Sequence, residues 1–273
     1  MTERGNSLYL DQVRRYYDEV TPLYFKSMGK TFQAGLIVTE LEDTDPYRTT
    51  NLYFASRAGI QPGQHVLDAG CGLSGPSMDI VQNIERIRID AITLSPVQAH
   101  TAKELIQQAG LFNQIQVHVG DFHHLPFADG TFDIVFFFES VGYSYDLHKL
   151  FAEVYRVLRP GGSIYIKGIF SKELPLSEPE QQELEEFNRI YAHKTPLMSI
   201  TTQIIAIVGF QDVVSCDLTE ILSTKEYRKA MVEIKHGFPT LSELGKYHRD
   251  RLPEKHTDAP IYRFGEIKAR KPA

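Results

Sequence analysis

Two cysteines in 273 residues, Cys71 and Cys216, are too few for a disulfide framework or a thiolate metal site. They read as two reduced, small apolar side chains. Long apolar runs are missing as well. No stretch approaches the roughly 20 residues that cross a bilayer, and Met1 to Val20 is polar and charged, without the apolar core of a secretory signal. Both absences predict a cytoplasmic protein with no membrane partner. There is no excess of positive charge: 29 Lys and Arg stand against 35 Asp and Glu, a net −6 at pH 7. That balance argues against sequence-independent binding to nucleic acid, which needs a positive face. A small anionic substrate held by a few local bases remains compatible with it. Internal repeats and low-complexity tracts are absent too, and with 23% charged and 42% hydrophobic residues the chain has the composition of an ordered globular protein. Its length suffices for one substantial core with additions.

What is present is an alternation of apolar strands and amphipathic helices. A strand runs into the glycine-rich stretch near residue 70, and Pro76 to Ile87 reads as a helix with Met78, Ile80, Val81 and Ile84 on its apolar face. A strand over Ile89 to Leu94 leads into a helix capped by Ser95, with Pro96 at its first position. Further strands are expected at Ile115 to Val119, Phe132 to Phe138 and Ser163 to Ile169. Between the last two, His148 to Leu158 has helical spacing and stops at Pro160-Gly161-Gly162. Two late strands, Phe210 to Leu218 and Tyr262 to Arg270, flank a basic helix from Thr224. The alternation implies an α/β fold with a seven-stranded, mostly parallel sheet and helices on both faces. Residues 1–60, rich in Tyr and Phe, read as an N-terminal helical lid. Residues 61–273 read as the main domain, with an acidic helical insertion at 171–200 built on Glu178 to Arg189. In such sheets ligands bind beyond the carboxyl ends of the strands, where strand order reverses. Asp68 to Gly72, Thr93 to Gln98, Asp121 with Phe122, and Glu139 with Ser140 occupy those ends.

The run His65-Val66-Leu67-Asp68-Ala69-Gly70-Cys71-Gly72-Leu73-Ser74-Gly75 carries the sharpest signal. Glycines at 70, 72 and 75 allow a tight turn and close approach to a ligand. Their spacing satisfies the dinucleotide pattern G-x-G-x-x-G, but Asp68 would meet a pyrophosphate with negative charge. A sulfonium cofactor with a cationic amino-acid end meets no such objection. The run resembles motif I of the class I S-adenosylmethionine-dependent methyltransferases, which have a Rossmann-like fold. The resemblance implies S-adenosylmethionine as cofactor, with Asp68 near its cationic end and backbone contacts from Gly70 and Gly72. Thr93-Leu94-Ser95-Pro96-Val97-Gln98 resembles the T-L-S-x-x-Q segment of a subgroup that includes cyclopropane synthases and prenyl diphosphate C-methyltransferases. There Gln98 would hold the ribose, with Thr93, Leu94 and Ser95 beside it. Asp121 and Phe122 suit the adenine amino group and ring. His123 and His124 have no third ligand at a useful spacing, so no metal site is expected.

Glu139, at the end of Phe136-Phe137-Phe138, stands where this fold places groups facing the transferred methyl. A carboxylate there can orient an amine or hydroxyl, or take a proton after transfer to carbon. The stretch from Glu139 to Glu153 is similar to E-S-x-x-Y-x-D-L-x-x-L-F-x-E of geranyl diphosphate C-methyltransferases, with one added residue. Tyr17 to Gly29 and Phe187 to His193 resemble that family's lid and substrate wall. The tail after Leu218 does not match, and the family's Asn before Glu-Ser is missing. The resemblance implies methylation of an alkene carbon of isopentenyl, geranyl or farnesyl diphosphate, with Glu139, Tyr24 and His193 as catalytic candidates. Tyr17, Lys26, Tyr143, Tyr145, Tyr191 and His193 would contact substrate. Lys26, Lys30, Arg48, His193 and Lys194 are the candidate phosphate partners, with Mg2+ associated with the diphosphate. Two rivals keep the same cofactor site: an N- or O-methyltransferase of a small acceptor, and a cyclase-like protein that binds the cofactor without transfer. The chain length of the acceptor and a homo-oligomeric state stay open.

Overall fold

A computed structural model describes residues 3–37, 45–225 and 261–273. The chain begins with α1 (Glu3–Met28) and α2 (Pro46–Arg57). Then come β1 (His65–Ala69), α3 (Gly75–Asn83), β2 (Arg88–Thr93), α4 (Pro96–Gln108), β3 (Ile115–Val119) and β4 (Phe132–Phe138). A 3-10 turn at Val141–Tyr143 precedes α5 (Leu147–Val157) and β5 (Leu158–Ser171). After these follow α6 (Glu178–Ile190), α7 (Met198–Val208), β6 (Gln211–Asp217) and β7 (Tyr262–Arg270). The seven strands form one sheet in the order β3-β2-β1-β4-β5-β7-β6. β3, β2, β1, β4 and β5 pair in parallel, and β7 inserts antiparallel between β5 and β6. The expected seven-stranded, mostly parallel α/β fold is therefore present.

Every residue of β4 is buried, as a central parallel strand covered on both faces requires. Its side chains alternate between two cores. Ile134, Phe136 and Phe138 join Met78, Ile80 and Val81 of α3 and Ala99, Ala102 and Ile106 of α4. Val135 and Phe137 join Leu150, Phe151, Val154 and Val157 of α5, with Ile205 of α7. A third cluster sets Val13, Tyr16, Val20 and Tyr24 of α1 against Ala192, Leu94 and Tyr143, so α1 lies across the carboxyl edge of the sheet. α2 sits differently from the lid expected over residues 1–60. Its Phe54 is fully buried against Phe138 and Tyr165, so α2 belongs to the helix layer and covering the strand ends falls to α1 and residues 29–37.

Other boundaries moved for local reasons. α3 ends at Asn83 rather than Ile87, because Ile84 is already extended and Arg86 takes a positive φ of 56° to turn into β2. α7 went unread in Met198–Val208, a segment whose Ile, Thr and Val content suits a strand. Tertiary packing overrides that preference by burying Thr201 and Ile205 beneath a helix facing α5. The basic helix expected from Thr224 falls, from residue 226 onward, outside the described residues.

At the amino-terminal end of the sheet, Asp90 of β2 accepts from His65 Nε2 of β1 and His118 Nε2 of β3, each at 2.6 Å. Burial alone would raise its pKa, but hydrogen bonds from His118 and His65 outweigh burial and hold the carboxyl well below the usual carboxylate range. A depressed folded-state value contributes stability above the unfolded value of about 3.9 and loses it as pH falls below that value. Replacing Asp90 by Asn is expected to lower stability in urea by about 1 to 2 kcal/mol at pH 7. The gap from wild type should shrink as the titration is taken below about pH 4.

Candidate functional site

A cavity opens at the carboxyl ends of β1, β2 and β4, where the strand order reverses. Its floor is the β1 tip, with Asp68, Gly70, Cys71 and Gly72 in the wall. Gly70 and Gly72 have φ of 90° and 55°, a conformation that favours glycine. A Cβ at Gly70 would also collide with Ser140, whose Oγ donates to the Ala69 carbonyl at 2.5 Å and ties the β1 and β4 tips together. The N–H groups of Gly70 and Cys71 both donate to the Ile92 carbonyl at 2.9 Å, and the Cys71 carbonyl accepts from the Ser74 N–H at 2.8 Å, so at this turn the Gly70 carbonyl is the group left to meet a ligand cation. Gly75 serves the fold instead of the ligand: a Cβ there would strike Thr31 Oγ1 and the Lys30 carbonyl.

Asp68 is 2% exposed and accepts one side-chain hydrogen bond, from Ser77 at 2.6 Å. Burial pushes its pKa up to about 7, against which the Ser77 bond pulls only weakly. A buried carboxyl at a cavity wall with so little compensation suits a cationic ligand group. Beside it, Thr93 Oγ1 donates to Gln98 Oε1 at 2.6 Å, which leaves the Gln98 amide N–H groups as donors toward the cavity. Ser95 points away from the cavity. Its hydroxyl caps α4 through the Gln98 N–H at 3.0 Å and donates to Asp18 of α1 at 2.5 Å. Leu94 lines the cavity and packs on α1.

Asp121 and Phe122 form the far wall. Asp121 Oδ1 accepts from the His123 backbone N–H at 2.9 Å and pairs with His123 Nδ1 at 2.6 Å. Burial would raise Asp121, but these His123 hydrogen bonds outweigh it and keep the carboxyl below its usual range. His123 Nε2 reaches Ser144 Oγ at 2.8 Å, and Tyr145 stacks on the imidazole at 3.7 Å. His123 is therefore a brace for Asp121, and Tyr145 covers that brace outside the cavity wall. These residues, the glycine turn at Gly70 and Gly72 and Asp68 fit S-adenosylmethionine, whose cationic end the β1 tip would hold and whose adenine Asp121 and Phe122 would hold.

Glu139 ends β4 with φ of 61°, a strained value for a residue with a Cβ. Its carboxylate lines the cavity and accepts from Ala34 N–H at 2.8 Å, from Gly35 N–H at 3.2 Å and from Lys167 Nζ. Lys167 Nζ also donates to Gln33 Oε1 at 3.0 Å and to the Gly35 carbonyl at 2.8 Å. The roof comprises Leu10, Val13 and Tyr17 of α1 with Lys30, Phe32 and Gln33, and Tyr17 meets Tyr143 edge-on at 5.2 Å. Sequence reasoning missed Lys167 and Gln33. The available signal was a lysine inside the apolar run Ile164-Tyr165-Ile166-Lys167-Gly168-Ile169 of a central strand, where a charge needs a partner.

Several candidates lie outside this wall. Tyr24 is buried in the α1 cluster with its hydroxyl 2.7 Å from that of Tyr16, and burial raises its pKa well above the usual tyrosine value. His193 sits behind Tyr143, whose ring it meets edge-on at 4.8 Å, with Nδ1 2.9 Å from Thr195 Oγ1. Burial pushes its imidazole down to about 3, so at neutral pH it carries no charge for a phosphate. Tyr191 packs on Phe187, and Lys26 lies on the exposed last turn of α1. Of the other phosphate candidates, Lys30 pairs with Asp79 at 2.6 Å, Arg48 bonds Asn83 at 3.0 Å, and Lys194 lies over the Tyr9 ring at 4.4 Å.

Residues 67–166 match the family model described as a methyltransferase domain. Sterol 24-C-methyltransferase of Schizosaccharomyces pombe is 29% identical over 181 residues, covering 64% of this chain and 47% of that protein. The chain thus spans about half the length of the curated relatives it matches. Among solved structures, the [4+2]-cyclase SpnF superposes with a TM-score of 0.79 at 21% identity, covering 96% of this chain and 95% of that one. Geranyl diphosphate C-methyltransferase from Streptomyces coelicolor A3(2), in complex with Mg2+, geranyl diphosphate and S-adenosyl-L-homocysteine, gives 0.69 at 18% identity, covering 96% and 97%. At these identities both show the shared fold.

The Asp68 environment sets a pH dependence. Binding of a ligand ammonium requires the ionised carboxyl, so affinity for S-adenosylhomocysteine should rise as pH increases through about 7 and then level off. Asp68→Asn should weaken binding about tenfold at pH 8 and flatten that dependence, as measured by titration calorimetry.

Proposed function

We propose that this chain, which carries an S-adenosylmethionine-dependent methyltransferase domain over residues 67–166, transfers a methyl group to an alkene carbon of an isoprenoid acceptor, with Glu139 as the proton acceptor. Bound S-adenosylmethionine would supply an electrophilic methyl group on a sulfonium. The observation that carries the reading is a single carboxylate set in a strained conformation at the cavity wall, beside aromatic rings. A carboxylate offers four lone-pair positions. Lys167, Ala34 and Gly35 occupy three of them, which leaves one on Oε2. That position suits the proton lost when the double bond re-forms.

Attack of an alkene on a methyl group leaves a carbocation, and the surroundings must stabilise it without adding to it. The rings of Tyr17, Phe32, Phe138 and Tyr143 offer π-faces and no basic nucleophile. Burial raises the pKa of both Tyr17 and Tyr143, with the neighbouring Glu139 charge acting in the same direction, so both hydroxyls stay protonated. α1 and residues 30–33 cover the cavity and limit water, which would otherwise trap the cation.

The sterol relatives and the sequence similarity over Glu139 to Glu153 both support an isoprenoid acceptor, with prenyl diphosphates as the narrower class. Among the described residues no group of three or more His, Cys, Asp or Glu gathers to hold a metal, so an Mg2+ ion would be held mainly by the oxygens of a substrate diphosphate. Incubation with methyl-labelled cofactor and isopentenyl, geranyl and farnesyl diphosphates, together with a side-chain-unsaturated sterol, tests the reading. A C-methylated product is expected from at least one acceptor. Glu139→Gln should lower its formation by about 10² to 10⁴ while retaining cofactor affinity. Transfer confined to nitrogen or oxygen acceptors, or cofactor binding without any transfer, overturns it.

A further inference from the structure

Lys167 is 0% exposed at the interior of β5, and its ammonium meets three acceptors, one for each proton: Glu139, Gln33 Oε1 and the Gly35 carbonyl. A neutral amine donates only two hydrogen bonds, so the arrangement specifies the charged form. The rings of Phe54 and Phe264 flank it at 5.6 and 5.7 Å. Burial pulls the lysine pKa down, and the Glu139 charge and hydrogen bond pull it back.

We infer that Lys167 is a positioning residue for the transfer reaction: it keeps Glu139 ionised and fixes its carboxylate plane so that one acceptor position remains open to the substrate. The inference rests on the role given to Glu139 above. Burial favours the protonated form of a carboxyl, a neighbouring cation favours the ionised one, and a protonated carboxyl accepts no proton from a substrate. Lys167 prevents this from the side away from the cavity, since Glu139 and Gln33 line the cavity and Lys167 does not. Among the described residues, few groups face Glu139. They are the Lys167 ammonium from β5, the backbone N–H groups of Ala34 and Gly35 from the segment after α1, and the hydroxyl-bearing rings of Tyr17 and Tyr143. Of these, Lys167 alone carries positive charge.

The same ammonium also grips Gln33 and Gly35, so the charge that prepares the carboxylate closes the chain over it. Loss of Lys167 should therefore alter the chemistry of Glu139 before it alters cofactor binding, which depends on the β1 and β2 tips.

The test compares Lys167→Met and Lys167→Arg with wild type, using ¹³C carboxyl NMR of Glu139 in the folded proteins together with pH profiles of kcat. In Lys167→Met the Glu139 resonance should titrate at least one pH unit higher than in wild type. The acid limb of kcat should move the same way, with a tenfold or larger loss of kcat at pH 7 and little change in the Kd for S-adenosylhomocysteine. Lys167→Arg should restore the wild-type profile in large part. Coincident titrations of wild type and Lys167→Met overturn the inference. Should Lys167→Met fail to fold, Lys167→Gln, which retains hydrogen-bond donors without the charge, carries the same comparison and the same criterion. If wild type methylates no alkene, the proposed function fails while the NMR titration still decides the role of Lys167.

Discussion

A buried ammonium is tolerable only where its protons meet acceptors, and at Lys167 of β5 three acceptors from two separate parts of the chain satisfy that condition. Glu139 comes from the end of β4, Gln33 and Gly35 from the segment that follows α1. The requirement to compensate Lys167 therefore draws the roof of the cavity down onto its wall. Around that point the polar side chains continue outward, from Gln33 to Asn51 at 2.8 Å, from Asn51 to Asp79 at 2.7 Å, and from Asp79 to Lys30 at 2.6 Å. Removing one member of such a set leaves the others buried without partners, which costs more than the lost bond itself. Residues 30–35 are held by this network as much as by apolar contact, and Gly75 is a glycine because they pass too close for a Cβ.

The acids at the strand ends illustrate how one fold gives chemically alike groups different tasks. Asp68 is left with one hydroxyl donor and is pushed toward neutrality, so it gains most from a cation. Asp121, braced by His123 and through it by Ser144, is stabilised as an anion and remains an acceptor at any ordinary pH. Glu139 is matched to a fixed positive charge, and three of its four acceptor positions are filled. The cavity thus passes from a carboxyl pushed toward neutrality, through one braced as an anion, to one paired with a buried lysine.

Much of this was legible in the sequence, for reasons that differ by element. β1 with its glycine turn, and α4 with its Ser95 cap and Pro96, are specified by local geometry that few residue types satisfy, so their place and role follow from the residues alone. β4 declares itself by unbroken hydrophobicity. α7 does not, because its β-branched composition favours a strand and only the face of α5 decides otherwise. The site divides along the same line. Asp68, Asp121 and Glu139 stand at strand ends and Gln98 in the first turn of α4, where topology delivers them to one place. Tyr24 and His193 looked equally suitable in sequence, yet they lie one layer behind Tyr17 and Tyr143, because which face of α1 and of the 191–193 turn meets the cavity is set by long-range packing. Lys167 could have been suspected as a charge inside a buried strand, but its partner is fixed only by the pairing of β4 with β5, which sets Phe138 beside Lys167 and Glu139 just beyond it.

The comparisons fix the scaffold more firmly than the chemistry, and the reason is physical. A parallel sheet with a switch point provides a cofactor cavity whatever lies above it, so a cyclase and a C-methyltransferase can superpose on this chain with similar scores. The chemistry then depends on the side chains of the roof and of the wall above the cofactor cavity. In this chain the wall is a strained glutamate paired from behind with a lysine, and the roof is tyrosine and phenylalanine held down by that pair. An acid fixed in that way has little freedom to follow a mobile nucleophile such as an amine. In the proposed reaction it would meet a more rigid demand, the removal of one proton from a cation held among the surrounding rings.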